Sequence, residues 1–217
     1  MSRQVKMLLL FFLLAGSVFS IARFAGSGLL AQPQPAGKTV SPADLPVREY
    51  NHRTGSGGAV TVLVFSDFQC SSCRTAAQAL DRLAEEFARE ITLVYKHYPL
   101  PRFANSFAAA LAAEAAGAQG KFWDMHDLLY ERQSEWTDAA EPVAVFGQWA
   151  AQLGLDVEQF RRDVASEEVA ERVRQDIADG QQLEIIGTPT IYVNGTPLPV
   201  KPTYRNLKRA IELALEP

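Results

Sequence analysis

The chain alternates between short runs of β-branched residues and longer runs in which apolar residues recur at helical spacing. Residues 60–65 (Val-Thr-Val-Leu-Val-Phe) and 91–96 (Ile-Thr-Leu-Val-Tyr-Lys) are short enough to be buried strands. Between them, the apolar spacing over residues 70–89 predicts an amphipathic helix. Strand, helix and strand in this order predict a right-handed βαβ unit with a parallel strand pair.

A helical block occupies the middle of the chain, from residue 103 to about residue 184. Breakers such as Gly120, Pro142 and Gly154 divide it. The predicted helices cover residues 107–118, 122–132, 143–153, 157–165 and 169–183. Because strand patterns resume only after this block, we interpret it as an insertion into the chain order of an α/β domain.

The α/β pattern resumes with a hairpin and a closing helix. Residues 190–193 are a predicted strand, Asn194-Gly195 is a strong two-residue turn signal, and residues 196–200 are the returning strand. Two prolines in the returning strand lack the N–H that a sheet needs, so we expect this strand at an edge. Residues 204–215 then form an amphipathic helix.

Composition and charge exclude some classes of function. The 217 residues are 47% hydrophobic and 21% charged, which is typical of one globular domain or one domain with an insertion. The first 31 residues hold three basic side chains and no acid, so the formal net charge of the remainder falls from −4 to −7. Such an acidic body without a basic stripe argues against nucleic-acid binding.

The first 31 residues resemble a secretory leader or a membrane anchor. A basic start (residues 1–6) precedes an apolar run and small residues, with Ser20 and Ala22, or a pair ending at Ala31, as candidate cleavage positions. The apolar run is shorter than the roughly 20 residues of a spanning helix, although residues 24–30 could extend it. We favour a cleaved leader. Either form would deliver the body to the periplasm or an equivalent envelope space, soluble or N-terminally anchored.

The leader is followed by a segment rich in proline and glycine. Residues 32–58 contain four prolines and the run Gly-Ser-Gly-Gly. This composition predicts a tether, with at most one short strand around residues 47–51.

The only two cysteines, Cys70 and Cys73, stand three positions apart at the start of the predicted helix. A helix N-terminus favours a thiolate, and the second sulfur lies within disulfide reach of the first. A structural bridge is the first alternative, but a four-residue loop gains only about 1.9 kcal/mol. A metal site is the second, but it would need two more ligands. The histidines are scattered singly. They are His52, His97 and His126.

Three segments carry a further signal: residues 65–70 (Phe-Ser-Asp-Phe-Gln-Cys), 120–129 (Gly-Lys-Phe-Trp-Asp-Met-His-Asp-Leu-Leu) and 187–190 (Gly-Thr-Pro-Thr). Together they resemble the thioredoxin superfamily, and most closely its DsbA-like disulfide oxidoreductases. The resemblance implies an α/β thioredoxin fold with a helical domain inserted between its βαβ and ββα halves. The thioredoxin-like domain would comprise residues 59–101 and 186–217, and the inserted domain residues 102–185.

The resemblance also implies an activity and a site. The chain would exchange disulfides with extended or unfolded envelope proteins, with Cys70 as the attacking or attacked sulfur and Cys73 as the resolving one. Pro189 would follow a cis peptide bond beside the cysteines, and Thr188 and Pro189 would hold the substrate strand, since a free main chain can pair with an extended peptide. We expect a monomer that needs no metal or organic cofactor. Electrons would pass to a redox partner protein, which can be membrane-bound.

The chain departs from the family pattern at two places. Ser71 stands where relatives often have proline, and Val64 stands where many have a buried acid that moves the proton of the second thiol. Asp67 is the nearest substitute, but it can equally be a turn or cap residue.

Three further polar residues are not counted among the catalytic ones. Lys96 and His97 can favour a thiolate electrostatically, but we expect them to be a solvated pair. His126 fits helix packing in the inserted block.

The sequence leaves the direction of electron flow open. Disulfide formation is the favoured activity, and a reductase or isomerase is the alternative because potential decides direction. A non-enzymatic envelope chaperone or a copper-binding module is the rival from another class.

Overall fold

A mixed five-stranded sheet forms the centre of the computed structural model, which describes residues 37–216. The strand order is β1-β3-β2-β4-β5, with β2 and β3 parallel and the other neighbours antiparallel. The strands are β1 (Arg53–Thr54), β2 (Val60–Ser66), β3 (Ile91–His97), β4 (Thr190–Val193) and β5 (Thr196–Pro197). The parallel register pairs Ser66 with His97, so both central strands end at the same edge of the sheet.

Eight α-helices and one short 3-10 helix (Pro42–Asp44) accompany the sheet in the part of the chain that the structure describes. The helices are α1 (Ser71–Glu86), α2 (Ser106–Gly117), α3 (Phe122–Glu131), α4 (Gln133–Trp136), α5 (Pro142–Gln152), α6 (Val157–Val164), α7 (Glu167–Gln182) and α8 (Tyr204–Leu215). Helices α2 to α7 lie between β3 and β4 in the chain, which confirms the thioredoxin fold with its inserted helical region.

The two faces of the sheet follow the alternation of side chains along β2 and β3. Val62 and Val64 face a core that also contains Cys73 of α1 and Leu207 of α8. Leu63 and its neighbours on the opposite face belong to a second, smaller cluster. Both faces are therefore buried, which explains the nearly continuous apolar character of these two strands.

The inserted helices pack closely because α2 carries small side chains. Ala109, Ala112 and Ala113 are fully buried, and α2 contacts α3, α5, α6 and α7. Large aromatic side chains fill the space around it, among them Trp136 and Phe146, whose rings meet edge to face.

The segment interpreted as a tether is part of the fold from residue 38 onward. Lys38 donates to the carbonyl of Leu183, Val40 donates to that of Gly195, and β1 pairs with β3. The short strand lies at Arg53–Thr54 and not around residues 47–51. Proline and glycine content could not reveal this, because distant segments supply the hydrogen-bond partners.

The closing hairpin follows the prediction, with a shorter second strand. Asn194 and Gly195 both have positive φ, at 46° and 83°, as this two-residue turn requires. The strand β5 lies at the sheet edge, as expected, but ends at Pro197 instead of residue 200. Prolines that cannot donate explain its early end.

The predicted leader or anchor, residues 1–31, lies outside the described residues. Among residues 37–216, the structure contains no helix with the length and apolar character needed to cross a membrane.

Candidate active site at the cysteine pair

Cys70 lies in the turn between β2 and α1, directly before the helix. Cys70 is the N-cap of α1, its N–H donates to the carbonyl of Asp67 (3.1 Å), and its own carbonyl accepts from the N–H of Arg74 (3.2 Å). Strand β2 therefore delivers the cysteine to the helix N-terminus, where unpaired N–H groups favour negative charge.

Asp67 is a turn residue. Its Oδ1 accepts hydrogen bonds from the N–H of Gln69 (2.8 Å) and the hydroxyl of Ser106 (2.5 Å), and its Oδ2 accepts from the N–H of Leu100 (2.8 Å). Burial raises the pKa of Asp67, and these hydrogen bonds oppose the rise. The carboxylate therefore ties its own turn to the loop after β3 and to the start of α2. Of the two roles left open by the sequence, the structure favours the turn.

The structure brings together all four residues predicted for the site. Both cysteines are reduced, with Cys70 5% exposed and Cys73 fully buried. The Cys70 Sγ lies 3.6 Å from the carbonyl oxygen of Thr188, and the Thr188-Pro189 bond is cis, as the family resemblance implied. The loop before β4 thus closes one side of the cysteine pair.

The two thiols have opposite acidities. A hydrogen bond from Cys73 is the largest cause that lowers the pKa of Cys70 to about 5; burial opposes it, and the N–H groups of Cys73 and Ser72 and the Thr188 side chain add to the lowering. Burial and the neighbouring Cys70 raise the pKa of Cys73 well above its ordinary value. At neutral pH, Cys70 is therefore a thiolate and Cys73 a thiol. A thiolate next to a thiol is the reactive form for disulfide exchange.

A buried hydroxyl network behind Cys73 was missed by the sequence analysis. The Ser66 side chain hydrogen-bonds the sulfur of Cys73 and also lies 2.7 Å from the hydroxyl of Tyr130, which is 3.2 Å from that of Tyr95. Ser66 lies two residues after Val64 and shares its face of β2, so strand alternation was the signal that could have found it.

Gln133 links the active-site turn to the inserted helices and was also missed. Its side-chain amide donates to the carbonyls of Phe68 (2.6 Å) and Cys70 (3.3 Å). Beside this contact runs an open groove of about 870 Å³, whose lining includes Arg74 and Arg102. Nothing in the local sequence around Gln133 marks this role, because its partners are more than 60 positions away.

Lys96 and His97 are not the solvated pair that we expected. Lys96 is fully buried and forms ion pairs with Asp176 (2.9 Å) and Asp179. The Nε2 of His97 lies 3.0 Å from the Oε1 of Glu114. Lys96 follows Tyr95 along β3, so it points to the sheet face opposite the cysteines. The ion pairs of Lys96 therefore attach α7 to the sheet.

His126 is buried among aromatic rings, which agrees with the structural role expected for it. Its ring centre lies 5.0 to 5.7 Å from those of Phe68, Tyr95 and Tyr130. Its Nδ1 is 2.8 Å from the Oδ1 of Asp127.

Comparisons with known proteins agree with this geometry. A family model described as "Thioredoxin" matches residues 49–213. A thioredoxin-like oxidoreductase from Silicibacter pomeroyi DSS-3 is 30% identical, with a TM-score of 0.67 over 77% of this chain and 93% of that one. The oxidised BdbD of Bacillus subtilis is 26% identical, with a TM-score of 0.72 over 82% of this chain and 98% of that one.

Two other comparisons are more limited. The alpha-DsbA1 protein of Wolbachia pipientis has a TM-score of 0.70 over 81% of this chain and 96% of that one, but 12% identity, and shows a shared fold alone. A Na(+)/H(+) antiporter NhaA 1 from Mycolicibacterium vanbaalenii is 37% identical over 185 residues, which are 82% of this chain and 28% of the antiporter. The chain thus spans less than a third of the curated relatives that it matches first. Taken together with the paired thiols and the neighbouring cis-proline loop, these findings show that the chain belongs to the thioredoxin family and has a DsbA-like fold.

Proposed function

We propose that this chain is a thiol-disulfide oxidoreductase that forms disulfide bonds in proteins of the cell envelope, through the pair Cys70 and Cys73. A substrate thiolate attacks the sulfur of Cys70 in the oxidised pair and gives a mixed disulfide. A second substrate thiolate then releases Cys70, so the substrate leaves oxidised and the enzyme leaves with two reduced cysteines. A redox partner protein reoxidises the pair.

The acidity of Cys70 is the observation that carries the proposal. A thiolate that receives several hydrogen bonds is stable, and its stability favours the reduced form of the enzyme. An enzyme with a stabilised reduced form takes electrons from its substrates. This supports disulfide formation over the reductase and isomerase alternatives.

The loop before β4 suits an extended substrate. Thr188 and Pro189 lie beside the sulfur of Cys70, and the nearby Ile186 is a large apolar side chain that is 79% exposed. An exposed apolar side chain two residues before Thr188 fits an unfolded polypeptide, which presents apolar residues. We propose that the main chain of Thr188 pairs with the substrate strand while Ile186 contacts its side chains.

The envelope location rests on the first 31 residues and on the chemistry. A basic start followed by an apolar run is typical of export, and a pair that oxidises protein thiols works in an oxidising compartment. The proposed site of action is therefore the periplasm or an equivalent space. The protein would act there as a monomer.

Trapping of mixed disulfides tests the assignment of the two sulfurs. The Cys73→Ala variant should accumulate mixed disulfides with envelope proteins, and Cys70→Ala should accumulate none, because Cys70 is the thiolate. Trapping by Cys70→Ala alone would exchange the two roles, and trapping by neither variant would exclude the proposed exchange. Titration of the wild-type pair against glutathione then separates oxidase from reductase.

The apolar contact has its own test. Replacement of Ile186 by serine should raise KM for a cysteine-containing peptide with apolar flanks, while the rate with glutathione stays unchanged. An equal loss with both substrates would remove Ile186 from the binding surface.

A further inference from the structure

Either direction of the proposed exchange moves a proton at Cys73, and this inference rests on that proposed function. When a thiolate bonds to the sulfur of Cys70, the bond between Cys70 and Cys73 breaks and its electron pair stays on Cys73. The raised pKa of Cys73 means that this sulfur takes up a proton. In the reverse step, Cys73 gives up that proton as its sulfur bonds to Cys70. Because Cys73 is fully buried, the proton must cross protein.

The first step of a path is the hydrogen bond between Cys73 and Ser66. The Ser66 hydroxyl is both donor and acceptor, so it can pass a proton on. Its other neighbours, Tyr130 and Tyr95, stay protonated at neutral pH and cannot exchange the proton with solvent, since burial raises the pKa of both phenols well above its ordinary value. The path therefore has to continue beyond these phenols.

A small cavity adjoins Ser66 on the side of α1 and α3. It offers about 10 Å³ of space for water, close to the minimum for one molecule. Four polar side chains line it, and Val64 lies in the same wall. The polar set is Ser66, Asp81, Tyr95 and His126. One water molecule there would have enough polar partners to be held.

Asp81 connects this cavity with bulk solvent. Its side chain is exposed, and it lines both the cavity and an open surface groove of about 370 Å³. Asp81 lies eight residues after Cys73 on α1, which is about 12 Å along the helix axis, so direct contact between the two is excluded. Ser66 and the cavity span that separation.

We propose that Asp81 is the carboxylate that exchanges the proton of Cys73 with solvent, through Ser66 and the water-sized cavity. Asp81 lines the cavity from α1, and Val64 lines the same cavity from β2. The carboxyl group that the sequence lacks at position 64 is thus supplied from α1.

The charges around Asp81 suit this role. Asp81 is exposed overall, but the protein around its carboxyl group still desolvates it, and this is the largest cause that raises its pKa to about 6; His126 on α3 lowers the pKa, while Asp127 on α3 and Glu85 on α1 raise it. The side chains contributed by β3 to the cavity, Leu93 and Tyr95, are both neutral. A carboxyl group that titrates near neutral pH both accepts and releases protons efficiently.

The test compares two neighbouring carboxylates of the same helix. Glu85 shares the outer groove with Asp81 but does not line the cavity. Stopped-flow measurement follows the reduction of the full-length enzyme disulfide by dithiothreitol between about pH 4.5 and 8, with rates divided by the concentration of reductant thiolate. Asp81→Asn should slow reduction by about tenfold or more and remove the inflection near pH 6. Glu85→Gln should stay within about twofold of the wild type, since it lies off the path.

Two further variants separate a proton path from a structural effect. Asp81→Glu should restore the inflection, because it keeps a carboxyl group at the cavity. Ser66→Ala should slow reduction, and combining it with Asp81→Asn should add little, since both act on one path. Equal rates for Asp81→Asn and Glu85→Gln at every pH would overturn the proposal. A wild type that fails to react with dithiothreitol would instead refute the proposed function.

Discussion

The hydrogen bond from Cys73 should control the acidity of Cys70. Replacing Cys73 by alanine removes the thiol donor that contributes most to lowering the pKa of Cys70 to about 5, but keeps the backbone N–H groups. The pKa should therefore rise and stay below the value of about 8.5 of a free thiol. Cys73→Ser is the matched control. Its hydroxyl can still donate, so the pKa should stay closer to that of the wild type.

The magnitude follows from the difference between the folded and unfolded chain. Because the folded pKa is the lower one, ionisation of Cys70 stabilises the reduced protein fully above about pH 8.5, and this contribution is lost as the pH falls through about 5. At pH 7 the contribution is about 3 kcal/mol. Cys73 stays protonated in both states at this pH and adds nothing. A difference of about 3 kcal/mol corresponds to a potential about 60 mV more oxidising than that of an unperturbed pair.

Two measurements check this reasoning. Ultraviolet absorbance of the thiolate, followed against pH, gives the pKa of Cys70 in the wild type and in the variants Cys73→Ala and Cys73→Ser. Denaturant unfolding of the reduced and oxidised wild type at several pH values gives the stability difference, which should increase with pH between about 5 and 8.5. A wild-type pKa above about 7.5 would refute the ionisation argument. A pKa that is the same in all three proteins would show that the Cys73 donor is not the main cause.

Four other changes test the surroundings of the site. Val64→Glu should raise the pKa of Cys70 relative to Val64→Gln, because a nearby carboxylate disfavours a second negative charge; thiolate absorbance measures it. Lys96→Met should lower the free energy of unfolding by about 3–5 kcal/mol, since two buried carboxylates lose their buried cation, while the pKa of Cys70 stays unchanged; denaturant unfolding and absorbance check both. Asp67→Ala should cost about 1–3 kcal/mol for each buried donor left without a partner, and denaturant unfolding again measures it. Burial would raise the pKa of Glu114, but hydrogen bonds from two histidines lower it to about 2. Its contribution to stability is therefore present above about pH 4.5 and lost as the pH falls through about 2, so Glu114→Gln should flatten acid unfolding in that range.

Local patterns were sufficient to predict the elements that carry the cysteines. The strand expected at residues 60–65 is Val60–Ser66, and the helix expected at residues 70–89 is Ser71–Glu86 with Cys70 as its cap. These elements follow from side-chain periodicity and from short-range hydrogen bonds, which the neighbouring residues determine. The helix ends earlier than expected because residues 87–90 turn toward β3. The spacing of apolar residues does not reveal such a turn.

Partners far apart in the chain could not be predicted in the same way. Lys96 looked solvated because a charged residue usually is, but Asp176 and Asp179 lie about 80 positions away and make its burial possible. Residues 38–54 looked like a linker because their hydrogen-bond partners belong to β3, α7 and the closing hairpin. Whether a charged side chain is buried, or a segment pairs with the edge of the sheet, depends on partner residues that composition does not identify.

The reactive pair and its place at a helix N-terminus can be predicted from the sequence alone. The separation of the two cysteines and the change from a strand pattern to a helix pattern are both local features. The sequence also identified Thr188 and Pro189, through a family resemblance and not through physics. The acidity of each thiol depends on the tertiary structure, because burial, the Ser66 hydroxyl and the Thr188 side chain come from separate elements that meet at one edge of the sheet. Electrostatic effects act over a few ångströms of space, whatever the distance along the chain.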